Sequence, residues 1–246
     1  MGRFEDAQTV LTPFVPTLAE QPAAIRESAH FTLGEIDQAS GRLESAIAHY
    51  EASVEAAQQM RPSLRRGQAE CAVQIAVCLR TLGRRGEASA RLESALRERR
   101  DEGLPLDATD GSLAYGLGEG YLTDEDLPRA REAYELALAA TAPTVPADHP
   151  RLIPARTGLL RVAVIQQDFD GARKHMAHIR ATRLSSFSPA VLSMIDFLEA
   201  QILWESGDDR PRAVQLARRA LQTLREEPGR QGGNVPLIER WIEART

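Results

Sequence analysis

Lysine and asparagine are almost missing from this chain of 246 residues, with Lys174 and Asn234 the single example of each. Cysteine is scarce too. The two present, Cys71 and Cys78, stand about two helical turns, or ~10 Å, apart on one expected helix, too far to bridge. They read as buried free thiols of a reducing compartment. No apolar run approaches the roughly 18 residues that span a bilayer. The opening MGRFEDAQTV has no basic segment before an apolar core, so it is not a secretory signal. A net charge of −5 supplies no basic field of the kind that nucleic acid requires. The expectation is a soluble, cytoplasmic protein with neither membrane nor nucleic-acid partner.

Period-2 alternation is also absent, whereas 3.6-residue periodicity runs almost throughout, which signals helices. Alanines recur at 7, 46, 88, 130, 172 and 213, at intervals of 39, 42, 42, 42 and 41. The wording around them repeats as GRFEDA, GRLESA, GRRGEA, EDLPRA, QDFDGA and DDRPRA. Self-similarity at such a period marks a stack of supersecondary units. Small or apolar residues Gly34, Ala76, Gly118 and Leu160 stand twelve before the later alanines, where paired helices are expected to meet closely. Prolines Pro62, Pro105, Pro146, Pro150, Pro189 and Pro228 punctuate the linkers. Asp148 is the expected N-cap before Pro150.

The expected fold is all-α, a right-handed α-solenoid of antiparallel helix pairs with about twelve helices. A single array fills 1–246: an unpaired helix over 1–20, pairs over 24–60, 66–102, 109–144, 150–186 and 188–228, and a capping helix over 234–245. The front helix lacks a partner for Phe4, Val10, Leu11 and Phe14. The expectation drawn from it is a truncated chain, or one that self-associates through this uncovered helix.

Leu33-Gly34, Ala46 and Tyr50, then Leu117-Gly118, Tyr121, Ala130 and Tyr134, resemble the tetratricopeptide repeat pattern of leucine, glycine, tyrosine, alanine and a large residue. The spacing of ~42 exceeds the basic 34 of the family and is similar to the kinesin-light-chain-like subtype. The resemblance extends to arrays of bacterial signalling proteins, including those C-terminal to Hanks-type serine/threonine kinase domains. It implies a superhelix whose first helices line a concave groove for a protein or peptide partner. Asp37 and Ala163 depart from the pattern's aromatic, Arg156 from an early apolar residue and Gln201 from the small one; a turn one residue longer would account for Gln201.

Positions i, i+4 and i+7 opposite the packed face of each first helix give Phe31, Glu35 and Gln38; Val73, Val77 and Arg80; Tyr115, Glu119 and Leu122; Thr157, Arg161 and Val164. Leu198, Ile202 and Glu205 follow in the last pair. This mixed apolar lining suits an amphipathic helix or extended segment, although some of these side chains would equally pack on the next repeat. Modes that need groove lysines or asparagines are disfavoured, since Lys174 lies on a second helix and Asn234 outside the repeats.

Catalytic chemistry finds little footing, and no cofactor is implied. His175 and His178 have an i, i+3 spacing usable for a metal, but no third ligand lies near in sequence and Lys174 would repel a cation. His30 reads as a core histidine. The GLGEG at 116–120 sits inside a helix rather than after a strand, so it is no phosphate loop. The leading functional expectation is a non-enzymatic interaction module of bacterial signalling. Alternatives are a regulatory region severed from a kinase or transcription regulator and, remotely, a metal-dependent enzyme.

Overall fold

The computed structural model describes residues 17–60, 67–103, 105–182, 187–226 and 235–245. Among them are eleven α-helices: α1 (Ala23–Ala39), α2 (Leu43–Gln58), α3 (Gly67–Thr81), α4 (Arg85–Asp101), α5 (Ala108–Thr123), α6 (Leu127–Thr141), α7 (Ile153–Ile165), α8 (Phe169–Arg180), α9 (Pro189–Ser206), α10 (Arg210–Glu226) and α11 (Val235–Glu243). The five expected pairs are α1/α2, α3/α4, α5/α6, α7/α8 and α9/α10, with α11 in the place of the cap. The expected front helix falls on residues 1–16, outside the described ones; residues 17–20 form a 3₁₀ turn with Leu18 buried.

The chain divides into two compact units, 1–140 and 141–246. In unit 1 each pair closes through a left-handed residue after its first helix: Gly41 (φ 76°), Gly83 (φ 79°) and Glu125 (φ 60°). Following residues reach back, Arg42 N to Asp37 O at 2.8 Å, Arg84 N to Leu79 O at 2.8 Å and Asp126 N to Tyr121 O at 2.8 Å. These are Schellman closures that satisfy the last carbonyls of each helix. Unit 2 repeats the device at Gln167 (φ 60°) and alters it at Gly207 (φ 76°). The left-handed residue stands five before Ala46, Ala88, Ala130 and Ala172 but six before Ala213. The last turn is therefore one residue longer, as Gln201 requires, and the small position of that pair falls on Ala200, fully buried with Ala217.

Ala46, Ala88, Ala130, Ala172 and Ala213 are all buried. Glycine opposite them serves a neighbour of the alanine instead. A Cβ on Gly34 would stand 2.6 Å from the Tyr50 ring, and one on Gly118 2.5 Å from the Tyr134 ring. The volume released on the first helix is filled by an aromatic ring from the second. Gly116 and Gly120 of the GLGEG stretch face α4, where a Cβ would meet Leu92 at 3.0 Å and Ser89 Oγ at 3.2 Å. So α5 is close-packed on both sides, which offsets the roughly 1 kcal/mol that each helical glycine costs.

Caps set the ends of α5 and α7. Asp107 Oδ1 accepts from Asp110 N at 3.4 Å while Asp110 Oδ2 accepts from Asp107 N at 3.0 Å, a reciprocal capping box, and Thr109 N adds a bond to Asp107 Oδ1 at 2.7 Å. Arg99 of α4 donates to Asp110 at 2.8 Å and to Asp107 at 3.0 Å, tying this cap to the preceding helix. Before α7 the cap is not Asp148. His149 fills that place, its Nδ1 accepting from Arg151 N at 3.1 Å, because the chain first makes a 3₁₀ turn over Pro150–Leu152.

First-helix faces as a candidate binding surface

In unit 1 the face of α1, α3 and α5 carries most of the expected lining. Phe31, Val73, Val77 and Tyr115 are half-buried and Glu35 is exposed. Phe31 meets Tyr50 edge-on with centroids 5.7 Å apart, and Tyr115 tilts against Tyr134 at 6.0 Å. The buried tyrosine hydroxyls reach acceptors on this face. Tyr50 donates to Gln38 Oε1 at 2.7 Å and Tyr134 to Glu119 Oε1 at 2.5 Å. Arg80 donates to the Gly116 carbonyl at 3.1 Å, so α3 is fastened to α5 at its C-terminal end. Leu122 does not line the face: at 8% exposure it belongs to the interior.

Two acidic residues that the i, i+4, i+7 stripe omits join this face. Glu27 lies one turn before Phe31 and Glu70 one turn before Val73. Glu27 is half-buried and Glu70 exposed. Burial, and then the charge of Glu70, hold the carboxyls of both Glu27 and Glu35 above the usual carboxylate range. Extending the stripe one turn toward each helix N-terminus would have found both residues.

On the flank of the first pair, His30 Nδ1 and His49 Nδ1 are 3.1 Å apart. Their ring centroids are 5.4 Å apart, the nitrogen separation plus about one ring radius at each end, so the nitrogens meet head-on, as in a hydrogen bond that shares one proton. His49 Nε2 is 3.9 Å from Asp37 Oδ2. Asp37, at the pattern's aromatic place, also accepts from Arg42 Nη2 at 2.6 Å and from Ser45. Burial, then His49 and Arg26, pull His30 below its ordinary value, against Glu55. His30 is thus half-buried and paired.

In unit 2, Thr157, Arg161 and Val164 are half-buried. Leu198 and Ile202 are 6% and 3% exposed and pack with Leu160, Ala163, Met176 and Ile179 in the core. The longer last turn explains the miss, because it moves the outward register by one, from Leu198, Ile202 and Glu205 to Phe197, Gln201 and Trp204. The face there is occupied by the cap. Arg245 lies 4.5 Å from the Trp241 ring centroid and 5.5 Å from that of Trp204, and donates to Glu205 at 2.8 Å. Arg210 covers Trp204 from another side at 5.2 Å. Arg156, the other departure, is buried and donates to the Ala147 carbonyl at 3.1 Å.

An open cleft of about 620 Å³ lies between α8, α9 and α10, lined by Arg180, Glu199, Arg212, Gln215, Leu216 and Arg219. Its arginines are engaged: Arg180 with Asp196 at 2.6 Å and with Glu199, Arg212 with Glu199 at 3.0 Å, Arg219 with Asp196 at 2.7 Å. His178 is exposed and His175 half-buried. Among the described residues no group of three His, Cys, Asp or Glu could hold a metal ion. Cys71 and Cys78 are free and buried, and burial pushes the Cys71 thiol up to about 11. No described helix is long and apolar enough to cross a membrane.

Residues 25–101 match the family model described as tetratricopeptide repeat. No curated protein matches the sequence. Among solved structures, BtubC (BKLC) of P. vanneervenii is 18% identical, with 93% of this chain and 94% of that one covered at a TM-score of 0.74. The kinesin light chain TPR-like repeats of Podosopora anserina are 17% identical, covering 85% and 100% at 0.63. YrrB, described as a TPR protein with an unusual peptide-binding site, is 16% identical, covering 88% and 93% at 0.52. At these identities the likeness is one of fold.

Proposed function

We infer that this chain of tetratricopeptide repeats is a protein–protein interaction module that takes a partner segment on the first-helix face of unit 1. One observation carries the inference. Phe31, Val73, Val77 and Tyr115 form a half-exposed apolar line, bordered by carboxylates and by the fixed guanidinium of Arg80. Recognition of this kind combines apolar anchors with a few placed polar groups that set register. The peptide-binding site in the description of YrrB supports the same use of the fold. The bacterial signalling setting belongs to this reading through the family resemblance alone.

Tyr115→Ala combined with Val77→Asp is the test, with helicity and melting checked beside wild type. Loss of affinity for a captured partner by about tenfold or more is expected, about 1.4 kcal/mol. Unchanged affinity for every partner in a folded double variant would sink the reading.

A further inference from the structure

The cleft between α8, α9 and α10 lies apart from the surface inferred above, and five of its six lining residues belong to the second helices α8 and α10. Its charge balance differs from that of other ion-pair groups in this protein. Arg99 serves both Asp107 and Asp110, and Arg173 serves both Asp170 and Asp208. In the cleft the ratio is reversed. Arg180, Arg212 and Arg219 share Asp196 and Glu199, which leaves one positive charge over. The two carboxylate side chains are covered, at 12% and 17% exposure, whereas those of Arg212 and Arg219 are open at 58% and 62%. Each guanidinium is held from one side. Arg180 and Arg219 donate through Nε and Nη2, and Arg212 through Nη2. Nη1 of all three, and Nε of Arg212, meet no hydrogen-bond acceptor among the described residues. Along its whole length α10 carries five arginines against the single carboxylate of Glu226.

We propose that this cleft is a second binding site, which takes an acidic segment of a partner protein, its Asp or Glu carboxylates accepting from the spare N–H groups of Arg212 and Arg219. A guanidinium already fixed by a covered carboxylate loses little further freedom on meeting another, and its planar fork suits a carboxylate. The one positive charge left over is matched by one carboxylate. A phosphoryl group, with its charge of about −1.5 to −2, would overshoot it. Sites for small molecules enclose most of their ligand, whereas this cleft of about 620 Å³ is open and suits a peptide lying across it. The run of arginines on α10 draws an acidic partner toward it.

An array of random dodecapeptides, probed with the labelled full-length chain, tests this. Each acidic peptide is paired with a copy in which phosphoserine replaces Asp or Glu. Bound sequences are expected to be enriched in Asp or Glu. The Arg212→Gln, Arg219→Gln variant leaves Asp196 and Glu199 paired with Arg180, and melting beside wild type checks that it folds. It is expected to lose the acidic enrichment, with affinity for the best acidic peptide down about tenfold. The Arg212→Lys, Arg219→Lys variant keeps the charges and loses the fork, and is expected to bind that peptide about threefold or more weakly. Acidic peptides are expected to bind the Val77→Asp, Tyr115→Ala variant as they bind wild type, because the first-helix face of unit 1 plays no part. Absence of acidic enrichment, or enrichment that survives in the glutamine variant, would overturn the proposal. So would a lysine variant equal to wild type, which would reduce the cleft to diffuse positive charge. Preference for the phosphoserine copies would replace the acidic segment by a phosphorylated one, and loss in the Val77→Asp, Tyr115→Ala variant would move the peptides to the other surface.

Discussion

In unit 1, Tyr50 and Tyr134 reach from second helices past Gly34 and Gly118, and their hydroxyls end on Gln38 and Glu119 of the outer face. In unit 2 the corresponding places hold Met176 and Ala217, opposite Leu160 and Ala200, and neither of these side chains carries a hydroxyl. One repeat geometry thus gives two different surfaces. Where glycine on the first helix admits a tyrosine, the buried hydroxyl needs an acceptor, and the acceptor makes the face polar. Where aliphatic pairs fill the same volume, the aromatic content moves to the end, and Phe197, Trp204, Trp241 and Arg245 close it.

The largest effect expected on this contrast comes from Trp241→Ala, which removes a buried ring touching Phe197 at 5.7 Å and Trp204 at 5.8 Å. A loss of about 3–5 kcal/mol should appear as lost hydrogen-exchange protection in α9–α11, with α1–α4 unaffected. Equal loss in both units would erase the distinction between them.

Next comes Gly118→Ala, which sets a methyl group 2.5 Å from the Tyr134 ring and should cost about 1–3 kcal/mol by overpacking. Adding Tyr134→Leu copies the Ala76/Leu92 pair of α3/α4 and should recover about 1 kcal/mol or more in a double-mutant cycle. Strict additivity in urea denaturation would show that the two sites do not share the space.

Smaller still are the turns. Glu125→Gly and Gln167→Gly relieve a side chain at φ 60°, and each should stabilise by about 1 kcal/mol. Gly41→Gln should destabilise by a similar ~1 kcal/mol. Thermal melts of the three variants decide, and a neutral Gly41→Gln would mean the left-handed turn carries no strain.

The least effect is one of pH. Because the folded-state pKa of His30 is lowered from 6.5, its unfolded form takes up a proton first as pH falls. Its contribution is therefore complete above pH 6.5 and drains away below it, toward the lower folded value. NMR titration should find His30 below 6.5 in wild type and closer to it in His49→Gln. A His30 that titrates unchanged in that variant would refute the shared proton.

Much of the helix-pair architecture was legible because the alanine interval and the apolar stripes report the same period from two directions. Gly41 and Gly83 stand just past helix ends, where a left-handed backbone is a local requirement. Outward positions were read less well. Leu122, Leu198 and Ile202 look like groove residues when a helix is judged by its own stripe, but burial there is decided by what lies beside it. The left-handed Gly207 turned the α9 register by one, a shift that Gln201 at the small position signals but that the outward stripe of Leu198, Ile202 and Glu205 did not take into account. Asp148 failed as a cap because proline at 150 favoured a tighter turn capped by His149. Glu27 and Glu70 were passed over because a three-position stripe stops a turn short of where adjacent helices bring their charges together.

The matched glycine and tyrosine bear on inheritance. A change at either position alone is penalised, so the two behave as one heritable character carried by a helical hairpin. Exchange of whole hairpins between copies preserves the match at no cost, whereas stepwise drift must pass through a clash or a void. In this chain the first and third hairpins carry the match, and the hairpin between them holds Ala76 with Leu92 instead.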